Sequence, residues 1–477
     1  MAFNLDRTIS LQGADDADDP ADAETLAMLS ELQGNILKGH GRDATVNLFL
    51  SFEGLDPSSV RAFVTLMGGQ VTTALDQLVA AREFRKSGAD GGTFRTFVLS
   101  AKGYEALGLA ASTPPDPAFR AGMKARKVEL ADPDATAWEG HLSGAVGAML
   151  LLADDDASRL AAAEAQAEEA IADAGVVLLG TERGLAHRNA DGQGIEHFGY
   201  VDGRSQPLVL DDDIQKEKNA GGIDKWDPTI PLRQALVADP NGKLDVSLGS
   251  YFVFRKLEQN VKGFKTLELA LAKHLKLGGD DEERAGASVV GRFENGTAVQ
   301  VSATELSLVG TGPLAVPNNF NYAEDPQGLK CPYAGHIRKT NPREAGTQRH
   351  LMLRRGITYG ERQDGPNDGR IGNKPERGVG LLFMAYQSDL VDQFEFTQKL
   401  WANNAGFHFS SPVQPVGIDP VIGQAAPGAA LDGQLYPDKW GDSLGTRFPF
   451  SGFVSMRGGE YFFAPSISFL KSPSGAA

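Results

Sequence analysis

Cysteine is almost missing from this chain: Cys331 is the single one in 477 residues. A lone thiol excludes an internal disulfide framework and any zinc or iron–sulfur site built from several cysteines. Basic charge is also short, with Lys plus Arg at 46 against Asp plus Glu at 62 and a formal net charge of −16. A nucleic-acid binder needs a net basic footprint, so that class is excluded. The acidic balance instead favours attraction of small cations. No apolar run approaches the ~18 residues needed to cross a bilayer, and no membrane partner is expected. The start, Met1-Ala2-Phe3-Asn4-Leu5-Asp6-Arg7, has no basic segment leading into an apolar core, so no secretory signal is read. The compartment is then extracellular if the chain is a mature form, and cytoplasmic otherwise. Also absent are the GxxxxGK[ST] phosphate loop and the HExxH zinc motif.

What is present describes an ordinary soluble globular protein, 41% hydrophobic and 23% charged. The length exceeds one ordinary core and predicts two domains. Residues 1–30, with Asp15, Asp16, Asp18, Asp19, Asp22 and Glu24 among alanines, read as a flexible acidic arm. A domain over 31–210 follows. Val46, Leu48, Leu50 and Phe52 alternate as a strand, and a helical stretch from Ser58 to Arg85 breaks at Gly68-Gly69. Strands at Phe94–Leu99 and Ala148–Leu152, a helix over Ala157–Ala174 and a strand from Val176 complete a split βαβ, ferredoxin-like unit. Residues 211–245 lack periodicity and read as a linker. The pattern restarts over 246–477. Strands are expected at Tyr251–Phe254, Gly378–Tyr386 and Tyr461–Phe463, and helices at Phe264–Leu277 and Leu390–Trp401. The fold class is α+β: two ferredoxin-like halves with a site between them.

Three stretches carry chemistry. Phe198-Gly199-Tyr200-Val201-Asp202-Gly203-Arg204-Ser205-Gln206-Pro207 sets one carboxylate between glycines. Alone it reads as a surface turn, because Asp-Gly is a common turn dipeptide. In Cys331-Pro332-Tyr333-Ala334-Gly335-His336-Ile337-Arg338-Lys339-Thr340-Asn341-Pro342-Arg343, small residues precede the histidine, leaving its ring approachable by something bulky. A satisfied core histidine is the competing reading. Leu351-Met352-Leu353-Arg354-Arg355-Gly356-Ile357-Thr358-Tyr359-Gly360 places two arginines in an apolar, strand-like run, where a buried guanidinium needs a partner. One of the pair is expected to point inward. Cys331 offers a rival thiolate ligand for iron, although free cysteine is more often a small buried hydrophobe.

Together these stretches resemble the dye-decolourising peroxidases, a haem peroxidase family, in particular its fungal members. The resemblance runs from Leu32-Gln33-Gly34-Asn35-Ile36-Leu37-Lys38 to Gly458-Gly459-Glu460-Tyr461-Phe462-Phe463-Ala464-Pro465-Ser466. Gly199 to Gly203 match the family's GxxDG signature. Gly291-Arg292-Phe293, Asn319-Phe320-Asn321-Tyr322, and the His336 and Arg354 stretches follow in the family's order. The resemblance implies a dimeric α+β barrel type fold, with one haem b per chain held mainly by the C-terminal half. It implies His336 as the axial iron ligand, Asp202 as the acid–base residue, Arg354 in preference to Arg355 as the distal arginine that also meets a haem propionate, and Leu381 and Phe383 lining the distal side. Asp419 is the preferred acidic partner of His336, ahead of Asp389 and Asp392. The implied reaction is peroxide reduction coupled, through high-valent haem iron, to oxidation of bulky aromatic dyes and phenols, with lignin-related compounds and manganese(II) as further reductants. Trp226, Trp401, Trp440 and Tyr359 are candidate electron relays, and a monomer or homodimer is expected. The alternatives are a haem carrier and a haem-free interaction protein; Asp202 with Arg354 favours the enzyme, since a carrier needs only the His336 side.

Overall fold

The computed structural model describes residues 3–10, 20–221, 223–307, 318–425 and 432–475. The strands are β1 Ala44–Ser51, β2 Phe94–Leu99, β3 Ala148–Asp154, β4 Val177–Leu185, β5 Val237–Ala238, β6 Leu248–Gln259, β7 Leu353–Arg354, β8 Ile357–Tyr359, β9 Gly380–Gln387, β10 Pro437–Lys439, β11 Ser443–Leu444 and β12 Val454–Ala464. The main sheet runs β4-β1-β3-β2-β12-β6-β9-β7, with every pairing antiparallel. Each half therefore repeats one order, fourth–first–third–second, which is the ferredoxin-like arrangement. The halves join where Phe463 of β12 pairs with Leu99 of β2. At the opposite edges, the Thr358 hydroxyl of β8 donates to the Leu185 carbonyl of β4, and the His187 amide donates to Thr358 Oγ1 at 3.1 Å. The sheet thus closes on itself as an α+β barrel.

Side-chain alternation along the strands sorts two cores. Phe49, Met149, Leu151, Phe252, Phe254, Met384, Tyr386 and Phe462 fill the inside. Leu48, Leu50, Phe97, Leu150, Tyr251, Val253 and Phe463 point outward, where helices cover them with Phe63, Val64, Phe119 and Leu160. The helical stretch after β1 is two helices, Pro57–Gly68 capped by Asp56 and Ala74–Ser87 capped by Thr73, so the Gly68-Gly69 break is real.

Two expectations need correction. The acidic run Asp15, Asp16, Asp18 and Asp19 lies outside the described residues, but its neighbours are not a free arm. Phe3 and Ile9 are buried, Ile9 pairs with Leu210, and Pro20–Glu31 is a helix burying Met28 and Leu29. Residues 211–245 are not a bare linker either. Asp211–Gly221 is a helix whose first turn carries Asp211, Asp212 and Asp213, where negative charge suits the positive helix end.

Candidate active site

On the outer face of the C-terminal half, the covering layer stands off from the sheet and leaves a cavity of about 300 Å³. The strand period decides what faces it. Leu382 and Met384 of β9 turn into the barrel, so Leu381 and Phe383 turn to the cavity. Leu353 turns inward, and Arg354 therefore outward to the cavity. Arg355 goes the other way, donating to the carbonyls of Asn35 and Ile36 at 2.7 Å each. The far walls are the loop Tyr200–Pro207, the short helix His336–Thr340 and the 421–424 segment.

His336 opens its helix directly after Gly335. Its Nδ1 lies 2.8 Å from Asp419 Oδ2, and Asp419 is fully buried. The other carboxylate oxygen, Oδ1, accepts the amides of Val421 at 2.8 Å and Ile422 at 2.9 Å. A carboxylate only accepts, so Nδ1 carries the proton and Nε2 keeps a free lone pair. The ring is enclosed by protein, yet its side chain is 26% accessible, because it borders the cavity. Burial opposes the charged ring, but Asp419's charge and hydrogen bond outweigh it and raise the His336 pKa.

Asp389 and Asp392 do not reach His336. Asp389 accepts the Asp392 amide at 2.7 Å as the cap of the π-helical segment Leu390–Glu395. Cys331 is buried beside Phe293, Phe320 and Tyr322, outside the cavity lining, which removes it as a ligand there; burial pushes its thiol up to about 12.

Asp202 and Arg354 line the same cavity. The loop carrying Asp202 needs its glycines. Gly199 has φ 104°, and a Cβ there would stand 2.2 Å from Asn367 Oδ1. Gly203 has φ 73° and donates its amide to Asp202 Oδ1 at 2.6 Å. Arg354 Nη2 donates to the Ser205 carbonyl at 3.2 Å, tying the arginine to the same loop.

Sequence reasoning missed two further cations. Arg292 and Arg343 line the cavity and share Ser205 Oγ (3.1 Å each) and Asn318 Oδ1 (2.9 and 2.6 Å). Among the described residues neither pairs with a carboxylate, unlike Arg255, which is locked to Asp132 at 2.5 Å. Burial, reinforced by the charge of Arg343, lowers Arg292 to about 9, and burial lowers Arg343 to about 10; both stay charged at neutral pH. Arg343 stands in the His336 stretch, but only the fold reveals its partners. Of the four relay candidates none lines the cavity; Trp226 lies 5.4 Å from the Arg343 guanidinium, and Trp440 donates to the Val299 carbonyl at 2.8 Å.

The donor set fits a haem. One imidazole offers a lone pair, apolar side chains such as Val290, Ile337, Leu381 and Phe383 form the walls, and uncompensated guanidiniums await acidic groups.

The profile described as Dyp-type peroxidase, C-terminal, matches residues 229–413. The multifunctional dye peroxidase DyP2 of Amycolatopsis sp. is 46% identical over 99% of this chain and 100% of that protein. Its solved structure superposes with a TM-score of 0.91 at 44% identity, covering 98% of this chain and 100% of that one. The solved DyP-type enzyme AnaPX of Anabaena sp. gives a TM-score of 0.88 at 38% identity, covering 99% and 100%. The dye-decolorizing peroxidase AauDyP1 of the fungus Auricularia auricula-judae is 27% identical over 94% of this chain and 87% of its own length. The expected fungal type is thus corrected: the 46% relative is bacterial.

Proposed function

Because this chain belongs to the Dyp-type peroxidase family and is a haem-dependent peroxidase of dyes and other aromatic compounds, we propose that its cavity holds haem b on His336 and cleaves peroxide with Asp202 and Arg354. The observation that carries this reading is one cavity bordered by all three side chains, with His336 fixed from behind by Asp419.

When bound, the haem supplies the redox-active iron that takes up the oxidising equivalents of peroxide. His336 offers Nε2 to it, and the Asp419 hydrogen bond gives the imidazole anionic character. Arg292 and Arg343 are the cations that would hold the haem carboxylates, and Leu381 and Phe383 would pack on its face. Asp202 takes the proton from one peroxide oxygen and returns it to the other, which leaves as water. Arg354 offsets the negative charge that builds on the departing oxygen. The overall balance is one hydrogen peroxide, two electrons and two protons to two waters. Two one-electron donors supply the electrons, and bulky ones deliver them from outside the cavity, with Trp226, Trp401, Trp440 and Tyr359 as candidate relays.

The test is a haem titration followed by absorbance. The native chain is expected to bind one haem and change its spectrum on one equivalent of peroxide. His336→Ala should lose the axial ligand signature; a spectrum identical to the native one would remove His336 from the iron.

A further inference from the structure

Asp202 does not face the cavity as its only acid. Glu196, at the start of the same loop, also lines it. Its Oε1 accepts the Tyr200 amide at 3.0 Å, and its Oε2 accepts the Phe198 amide at 2.8 Å and Gln259 Nε2 at 2.5 Å. Two backbone donors two residues apart thus converge on one carboxylate, and Gln259 ties that carboxylate to the end of β6. From outside, Arg362 Nη1 donates to the His197 carbonyl, and Asn367 Nδ2 donates to the Gly199 carbonyl at 3.2 Å. The loop is clamped on both sides just before Asp202.

We propose that Glu196 is a positioning residue for Asp202: its carboxylate holds the bend that carries Asp202 into the cavity, and its charge helps set the pH at which Asp202 works. This rests on the reading of Asp202 as the proton-handling group. The two carboxylates border one cavity, where like charges oppose each other. Burial raises the Glu196 pKa, with Asp202's charge adding to it against the three hydrogen bonds. Arg354 faces the pair from β7 and His336 from its helix. Behind the loop, Lys265 pairs with Glu268 and Glu294 at 2.9 and 2.6 Å. Arg204 is committed to Glu217 at 2.8 Å, and Arg292 and Arg343 close the remaining side. None of these groups is altered by Glu196→Gln.

The experiment compares native haem-loaded protein with Glu196→Gln, Asn367→Ala and Asp202→Asn. It reads hydrogen exchange of the peptide spanning 196–203 and the pH profile of the reaction with peroxide. Glu196→Gln should speed exchange in that peptide alone, slow the peroxide reaction roughly 5- to 15-fold, and move the apparent pKa of the profile to lower pH. Asn367→Ala loosens the loop without changing charge, so it should speed exchange and leave the apparent pKa in place. A Glu196→Gln variant with native exchange, or with an unshifted profile, overturns the proposal. If Asp202→Asn keeps the native rate, the reading beneath the proposal fails instead.

Discussion

Replacing Asp419 by Asn exchanges one carboxylate oxygen for an NH2 group and should undo the axial ligand. The amides of Val421 and Ile422 hold Oδ1, so in Asp419→Asn they retain the side-chain oxygen and turn Nδ2 toward His336. Two N–H donors then oppose each other across the 2.8 Å now spanned by a hydrogen bond. The ring relieves this by moving its proton from Nδ1 to Nε2, the nitrogen needed for iron. A hydrogen bond to a charged group contributes about 1.5–3 kcal/mol. Its loss should weaken haem binding roughly 10- to 150-fold. For a one-electron couple the same energy corresponds to ~60–130 mV, and the ferric–ferrous potential should rise, since the anionic partner stabilises the higher charge. The assay is a haem titration of the apoprotein followed by a potentiometric titration. Affinity within about twofold of native and a potential within roughly 10 mV would refute the coupling.

Three further outcomes are expected. Arg354→Leu should keep haem affinity and slow the peroxide reaction about 10²–10³-fold, the usual loss for one preorganised charge-stabilising donor; stopped-flow absorbance reads it. His197 is buried, and burial, partly offset by its bond to the Tyr359 carbonyl, lowers its pKa from 6.5 to about 4. The unfolded chain therefore binds the extra proton between those values, so stability is full above pH 6.5 and is lost as pH falls through 4. His197→Gln should flatten that acid slope by up to about 3 kcal/mol, seen in melting temperatures across the window. Phe463→Ala, at the junction of the halves and 5.1 Å from the Tyr251 ring, should cost about 3–5 kcal/mol in urea unfolding.

Much of this site was legible because its residues sit in local signals. Asp202 lies between glycines that a sharp bend requires, His336 follows small residues, and Arg354 interrupts an apolar strand. The ferredoxin-like halves were legible for the same reason, since β1, β3 and β6 carry apolar runs too dense for loops. Arg292, Arg343 and Glu196 were not, because their partners are distant or backbone. Arg343 meets Ser205 and Asn318, and no spacing within a segment announces such a meeting. The Asp211–Gly221 helix escaped because it buries only Ile214 and Glu217, too few to leave a period. The resemblance already prefers Arg354 to Arg355, and the fold supplies the physical reason: Arg354 turns to the cavity while Arg355 turns to the Asn35 carbonyl.

The central claim is that Asp202 moves the proton when peroxide is cleaved. It is tested most directly by the second-order rate of haem-loaded Asp202→Asn with hydrogen peroxide, measured where its resting spectrum matches the native one. The account predicts a rate lower by about 10²–10⁴-fold, the range general acid–base groups supply. A rate within about threefold of native would contradict it.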